Sequence, residues 1–457
     1  MFPRASRAES TVEAEVVTRF FEASERIAQR SMTIAVVGLG YVGLPLADAF
    51  HSAGFTVIGF DVDQRKIDDL DAGTAYLASL GQELYDRLAT SDTFSATTEA
   101  DRLGEADAIL VAVPTPLGAH NEPDLSYVES TAAMAGATLR AGQLIVLEST
   151  TYPATTRDVF LPAILEASDS SLTPGEDFFV AYSPEREDPG RAMKTSDVPK
   201  LVGGLDEDSG SLATALYAAA FDNVIEVSSS EVAEAAKILE NVFRAVNIAM
   251  VNEMKTVLSA MDIDVWEVIE AAATKPYGFM KFTPGPGLGG HCIPIDPFYL
   301  TWKAREVGQP VQFIELAGLV NNSMPRYVVE RLIEALNLEV KPLHGSSILV
   351  LGLAYKPNVG DTRESPSYEV IELLTRGGAD VSYHDPHVLV AEPVRKHDLG
   401  LSSIELTADV VAAFDAVVIV TDHDDVDYQL IAEQARIVVD TRNTMADLTV
   451  KGRLVTA

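Results

Sequence analysis

Cys292 is the only cysteine among 457 residues, and it lies in the stretch Pro284-Gly-Pro-Gly-Leu-Gly-Gly-His-Cys-Ile-Pro-Ile-Asp-Pro297. The glycines and prolines ahead of the thiol exclude regular helix or strand and let backbone pass close to a ligand. Asp296 follows four residues later, so a helical turn there would set a carboxylate on the face that carries the sulfur. A nucleophile with a nearby base is what covalent catalysis requires. The competing reading is a buried cysteine that packs as a small hydrophobe. Lys237 and Asn241 are also four apart, in a long helical pattern, and would share a face. A lysine on such a helix is ordinarily a solvated surface charge, and that alternative stays beside the chemical one.

The clearest positioning element is at the start of the chain. The apolar run at 33–37 reads as a buried parallel strand and leads into Gly38-Leu-Gly40-Tyr-Val-Gly43. A helix-like segment at 44–53 and a second strand at 55–60, ending at Asp61, complete the unit. This is a dinucleotide fingerprint in its required setting. Gly38 permits the tight turn, Gly40 lets backbone approach a pyrophosphate, and Gly43 allows close helix–strand packing. Tyr41 and Val42 lie within the same cofactor turn, and the helix N-terminus supplies oriented N–H groups. Asp61 is placed to bind ribose hydroxyls and to favour NAD over NADP, with Asp63 as a neighbouring alternative. A glycine turn used only for packing is the bland reading.

Further strands are expected at 108–113, 144–148 and 178–181, each ending in polar or turn-forming residues. Ligands of open α/β sheets bind at the carboxyl ends of strands, which places Thr115, Thr150 and Glu185 by topology. Capping of the next helix would use the same residue types. From Ser228, which has capping-box spacing to Glu231, apolar residues recur at helical period from Val232 to Met261. About 30 residues would make a rod of roughly 45 Å, the length of a connector or a dimer spine. Short helices are expected at 262–283, with more at 298–306 and 311–326. Tyr299 and Lys303 form a Tyr-x-x-x-Lys dyad, but that dyad belongs within a single nucleotide-binding domain, so it is given no chemistry.

Strands at 347–351, 380–383, 416–420 and 436–439 make a second doubly wound sheet. Its first turn, Gly352-Leu-Ala-Tyr-Lys356, lacks the dinucleotide glycines. Lys356 and Arg363 after that strand read either as a phosphate seat or as a surface salt-bridge cluster with Asp361 and Glu364. The fold class is therefore α/β: two doubly wound Rossmann-like domains joined by a long central helix and an all-helical middle region. Boundaries are set at 1–30 for an N-terminal extension, 31–227 for the NAD-binding domain, 228–335 for the helical domain and 336–457 for the second sheet.

Composition narrows the function. Sixty-eight acidic against 34 basic residues give a net charge of −34, which disfavours nucleic acid and anionic membrane surfaces. Any phosphate must be held by specific basic groups or backbone N–H. No apolar run is long enough to span a membrane, no signal peptide is visible, and one cysteine fits a reducing compartment, so a cytoplasmic protein is expected. A long apolar helix points to a homodimer. No metal ligands are assigned.

Taken together and in order, several motifs resemble the UDP-glucose/GDP-mannose dehydrogenase family over residues 32–445. They are the glycine fingerprint, Val113-Pro-Thr-Pro116, Glu148-Ser-Thr-Thr-Tyr-Pro153, Ser183-Pro-Glu-Arg186, Lys237 with Asn241, Gly289-Gly-His-Cys292 through Asp296, and Lys356 through Arg363-Glu-Ser-Pro366. Within the family the chain looks most like bacterial enzymes that oxidise UDP-N-acetylhexosamines, with UDP-N-acetylglucosamine the first choice. UDP-N-acetylmannosamine, UDP-N-acetylgalactosamine and UDP-glucose are the alternatives. Two departures flank the sugar pocket: Ala154 for a usual glycine and Arg191 for a usual asparagine.

The resemblance implies oxidation of the sugar C6 alcohol to a carboxylate with two NAD+, through a thiohemiacetal and a thioester on Cys292. It implies that Lys237 and Asn241 stabilise the oxyanion, that Asp296 with Lys237 and water acts as base, and that Thr150 and Glu185 position the hydrolytic water. Thr115, Thr150 and Arg363 would contact the cofactor; Glu185, Arg186, Lys237, Asn241, Gly289 and Lys356 would contact the UDP-sugar. The rivals are a two-electron hydroxy-acid-type dehydrogenase and a non-catalytic nucleotide-sugar sensor.

Overall fold

A computed structural model describes residues 9–77, 80–118, 122–169, 171–186, 198–290 and 293–457. The chain divides into two compact units, residues 1–239 and 240–457.

The first unit begins with helix α1 (Glu9–Ala28), then β1 (Thr33–Val37), α2 (Gly43–Ser52), β2 (Thr56–Phe60), α3 (Gln64–Asp71), α4 (Gln82–Ala89) and β3 (Phe94–Thr97). It continues through β4 (Ala108–Val111), α5 (Ser126–Ala137), β5 (Leu144–Leu147), α6 (Leu161–Ala167), β6 (Phe179–Tyr182), β7 (Lys200–Gly204), α7 (Glu207–Ala218) and β8 (Val224–Val227) to α8 (Ser230–Ser259). The eight strands lie in the order β3-β2-β1-β4-β5-β6-β7-β8. All neighbours are parallel except β6 and β7. The central strands β1, β4, β5 and β6 are buried throughout, apart from partly covered Thr33, as expected of strands covered on both faces.

Helix α1 belongs to this body. Ala23 and Ile27 are buried in its core, Phe20 meets Phe179 edge to face at 6.5 Å, and Arg26 pairs with Asp107. At the start of α8 the Ser229 hydroxyl, rather than that of Ser228, accepts from Val232 N at 3.4 Å, and Glu231 turns to Arg157.

The second unit holds the rest of α8, then α9 (Val265–Ala273), α10 (Asp296–Glu306), α11 (Gln312–Leu338), β9 (Ser347–Leu351), α12 (Pro366–Arg376), β10 (Asp380–His384), α13 (Ala408–Ala413), β11 (Ala416–Ile419), α14 (Tyr428–Gln434), β12 (Ile437–Asp440) and β13 (Arg453–Thr456). Its parallel sheet runs β10-β9-β11-β12-β13. Ile348 and Val350 fill one core while Leu349 and Leu351 fill the other, the alternation of a sheet covered on both sides. Helix α11 runs twelve residues beyond the sequence expectation, past Pro325. Val328, Val329, Leu332, Ala335 and Leu336 continue its apolar stripe into the core below the second sheet, and that burial carries the helix through the proline.

The two sheets share a first-turn geometry but use it differently. In the first, Gly38 N donates to Phe60 O and Leu39 N donates to Asp61 Oδ2, both at 2.8 Å. In the second, Gly352 (φ +86°) opens the turn and Ala354 stands where the middle glycine would. Asp385, at the end of β10, accepts from Leu353 N, Ala354 N and His423 Nε2, while His423 Nδ1 accepts from Asn358 N. Asp385 and His423 are wholly buried, so this turn is stapled shut by protein groups.

Candidate active site

The residues at the mouth of the first sheet fit a dinucleotide. A Cβ at Gly38 (φ +94°) would stand 2.5 Å from Ala112 O, and one at Gly43 would stand 1.8 Å from Gly38 O. Packing therefore demands glycine at both positions. At Gly40 a Cβ would meet nothing within 4 Å. The protein has no steric use for that glycine, and the open space is where a phosphate needs approach. Tyr41 and Val42 connect this turn to α2, whose first residue is Gly43. Asp61 is buried at 6% exposure and also holds Lys66 at 2.7 Å. Asp63 instead caps α3 by accepting from Arg65 N.

The ends of β4 and β5 are tied together. Ser149 Oγ donates to Val113 O at 2.8 Å and accepts from Val113 N at 3.0 Å, while Thr115 Oγ1 donates to Thr150 O at 2.8 Å. Thr115 and Thr150 are thus neighbours. The segment after Thr150 is fastened to α8 by Glu234, whose carboxylate accepts from Ala154 N, Thr156 N and Thr156 Oγ1 at 2.6–2.9 Å. Burial raises the Glu234 carboxyl to about 7 despite those donors. Ala154 itself has φ +77°, a left-handed backbone for which glycine is the unstrained choice.

Lys237 follows Glu234 by one turn and is 7% exposed. Among the described residues no carboxylate pairs with it. A nearly buried, uncommitted ammonium is expensive unless an anion visits it. Glu185 lies beyond the end of β6, with Oε1 accepting from Arg186 N at 2.6 Å and Oε2 from Lys200 Nζ at 3.1 Å. The Arg186 guanidinium donates to Pro199 O at 2.6 Å.

In the second unit Asn241 Nδ2 donates to Asp296 Oδ2 at 2.5 Å. Asp296, 3% exposed, is the first residue of α10, where the helix dipole favours a carboxylate. Residues 293–295 form a turn, so helix does not extend back from Asp296 toward Cys292. Cys292 lies outside the described residues, as does Arg191.

The glycines before it are held. Gly285 N donates to Asn252 Oδ1 at 2.9 Å and Gly290 N to Arg363 O at 3.0 Å. A Cβ at Gly289 would stand 2.6 Å from Tyr355 Cβ, so the side-chain space there is already filled by protein. Lys356 Nζ sits 5.7 Å from the Tyr355 ring centroid. Arg363 grips Asp361 through both Nε and Nη2, at 2.9 and 2.6 Å, and Glu364 takes Arg395. Tyr299 is buried, and Lys303 pairs with Glu306.

Two basic residues were not singled out from the sequence. Arg442, after β12, donates to Val420 O at 2.8 Å, and a Cβ at Gly285 would stand 2.9 Å from its Nη1. The signal was present in Asp440-Thr-Arg442, a basic residue at a strand's carboxyl end. Lys200 had no local signal, because the glycines of Lys200-Leu-Val-Gly-Gly204 conceal its strand.

Two Rossmann-like sheets, one with an open dinucleotide cradle, and an all-helical segment bearing an amide–carboxylate pair define an NAD-dependent dehydrogenase. Profiles of three successive domains match: the NAD binding domain of the UDP-glucose/GDP-mannose dehydrogenase family at residues 32–221, its central domain at 231–323 and its UDP binding domain at 349–447. The chain is 37% identical over 354 residues to Protein CapL of Staphylococcus aureus, covering 77% of this chain and 81% of the relative. It is 34% identical over 396 residues to the UDP-N-acetyl-D-glucosamine 6-dehydrogenase of Pseudomonas aeruginosa, covering 86% and 91%. The solved UDP-D-ManNAc dehydrogenase of Pyrococcus horikoshii superposes with a TM-score of 0.83 at 32% identity, covering 93% of this chain and 98% of that one. The chain belongs to the UDP-glucose/GDP-mannose dehydrogenase family, and it is an NAD-dependent UDP-sugar dehydrogenase.

Proposed function

We propose that the chain oxidises the C6 alcohol of a UDP-N-acetylhexosamine, with UDP-N-acetylglucosamine the first choice, to the uronic acid in a four-electron reaction. The observation that carries this reading is the Asn241–Asp296 hydrogen bond between two buried or half-buried side chains, with the uncommitted ammonium of Lys237 one turn earlier on α8. When bound, NAD+ supplies the hydride acceptor for both oxidations. Gly38, Gly40, Gly43 and Asp61 would hold it, with Thr115 and Thr150 at the adjoining strand ends.

Asp296, through water and Lys237, would take the proton of the C6 hydroxyl. The thiolate of Cys292 would add to the resulting aldehyde, and Lys237 with Asn241 would stabilise the oxyanion of that adduct. The second oxidation turns the thiohemiacetal into a thioester. Water placed by Thr150 and Glu185 then attacks the acyl carbon, the C–S bond breaks, and the thiolate leaves with the electron pair. Lys356 and Arg186 would hold the UDP-sugar. The names of similar proteins include UDP-N-acetylglucosamine, UDP-N-acetylmannosamine, NDP-N-acetylgalactosaminuronic acid and UDP-glucose dehydrogenases, and by the family resemblance Ala154 and Arg191 would flank the region that chooses.

The test is NADH counted per sugar across UDP-glucose, UDP-N-acetylglucosamine, UDP-N-acetylmannosamine and UDP-N-acetylgalactosamine. Two NADH with UDP-N-acetylglucosamine preferred is the expected result; one NADH per sugar would mean that the reaction stops at the carbonyl.

A lone catalytic thiol would suit a reducing cytoplasm, which is the compartment we propose. No helix among the described residues is long and apolar enough to cross a membrane. We also propose a homodimer. On α8, Met250, Met254 and Val257 are 43–50% exposed, and on α11 Phe313, Leu316 and Leu319 are 55–79% exposed, more apolar surface than two helices of a lone chain normally show. Sedimentation should give twice the chain mass, and Met254→Asp with Leu319→Asp should halve it. A wild-type monomer at micromolar concentration would refute the dimer.

A further inference from the structure

Strand β7 runs antiparallel to β6, the one such pairing among the described strands of the first sheet. Its ladder pairs Ala181 with Gly204 and Tyr182 with Gly203. Because it runs backwards, its first residue lies at the carboxyl end of β6. Continuing the register three residues sets Lys200 opposite Glu185, and there its ammonium reaches two carboxylates: Glu148 Oε2 at 2.9 Å and Glu185 Oε2 at 3.1 Å. Glu148 also accepts from the Tyr217 hydroxyl, and the rings of Tyr217 and Phe221 flank the ammonium at 5.6 and 5.4 Å.

The three charged side chains form a line that opens at one end only. Glu148 is 0% exposed, Lys200 is 4% and Glu185 is 14%. Burial raises the Glu148 carboxyl above its usual range; it would lower the Lys200 ammonium, but the two carboxylates outweigh it and hold that group well above. A buried ion cluster is a poor way to stabilise a core, since apolar residues of similar volume do as well or better. What this cluster does accomplish is local. Oε1 of Glu185 is fixed by Arg186 N and Oε2 by Lys200, so the carboxylate plane is set at the strand end.

We infer that Lys200 is a positioning residue that holds Glu185 as an anion in one orientation for the hydrolytic half of the reaction. This rests on the reading above, in which Glu185 places the water that releases the acid from the Cys292 thioester. At 4% exposure Lys200 would meet neither sugar nor water directly. Its charge acts through Glu185, with Glu148 and Tyr217 as the only other titratable groups facing it among the described residues.

The experiment compares wild type with Lys200→Met, Lys200→Arg, Glu185→Gln and the Met/Gln double variant. Lys200→Met should release a burst approaching two NADH per site and then turn over about 10²-fold more slowly, with acyl-enzyme visible by intact mass. Its acid limb in the kcat–pH profile should move to higher pH, because the carboxylate has lost its cation. Lys200→Arg should restore hydrolysis and the profile, and in the Glu185→Gln background the Met substitution should add nothing. If Lys200→Met does not fold, Lys200→Gln replaces it with the same expected outcome. Equal slowing of both oxidations with an unmoved pH profile would overturn the assignment, as would additive effects in the double variant. A wild type that yields one NADH per sugar and no acyl-enzyme would instead overturn the underlying reading, and that arm is scored first.

Discussion

Cys292→Ser is expected to end acid formation, lowering steady-state NADH output by about 10³-fold or more, while UDP-sugar and NAD still bind. A serine hydroxyl is far less acidic than a thiol and carries almost no anion at neutral pH, so it should trap an aldehyde far less well. The first oxidation does not need the sulfur, so a slow aldehyde signal, captured with a hydrazine reagent, should persist in the variant. Titration of UDP-sugar binding separates the possibilities: loss of binding in step with activity would mean that the cysteine is a packing residue and that the covalent route is wrong. The surroundings make an intact fold the expected outcome, because the loop is anchored by backbone bonds from Gly285 and Gly290 that do not involve the thiol.

Lys237→Met should reduce kcat by about 10²–10³-fold with a much smaller change in KM for the sugar. The side chain is nearly buried and no carboxylate among the described residues neutralises it. Burying a cation without a partner costs folding free energy, so a methionine of similar shape should also raise the melting temperature. The paired outcome, more stable and far slower, is what distinguishes a group kept for an oxyanion from a structural lysine. A variant that melts lower and retains its kcat would remove Lys237 from the mechanism. Asn241→Ala offers an internal comparison: it removes one hydrogen-bond donor to Asp296 and should impair both oxidations rather than hydrolysis.

Much of this was legible in the residues because the relevant constraints are local. A middle glycine with open space beside it, flanked by two glycines that sterics require, is written in Gly38-Leu-Gly40-Tyr-Val-Gly43, and Asp61 follows from strand length. The period of α8 is visible because its apolar residues recur over eight turns. What escaped depends on partners far away in the chain. The staple formed by Asp385 and His423 joins residues 38 apart. Lys200 acquires its place only when β7 reverses against β6, a tertiary event that no local pattern encodes. For the second sheet's Arg363 the basic type and position allowed either a phosphate seat or a salt bridge, and the pairing with Asp361, two residues away, is visible only in the structure.

The sealed first turn of the second sheet has a kinetic corollary. On the proposed four-electron reaction two hydrides would leave one sugar, while among the described residues only the first sheet's turn is open to a nicotinamide carrier, Asp385 and His423 closing the turn after Gly352. The spent carrier would then disembark and a fresh one board while the sugar waited half-finished. A free aldehyde would diffuse away during that exchange; a sugar moored to the protein through sulfur would not.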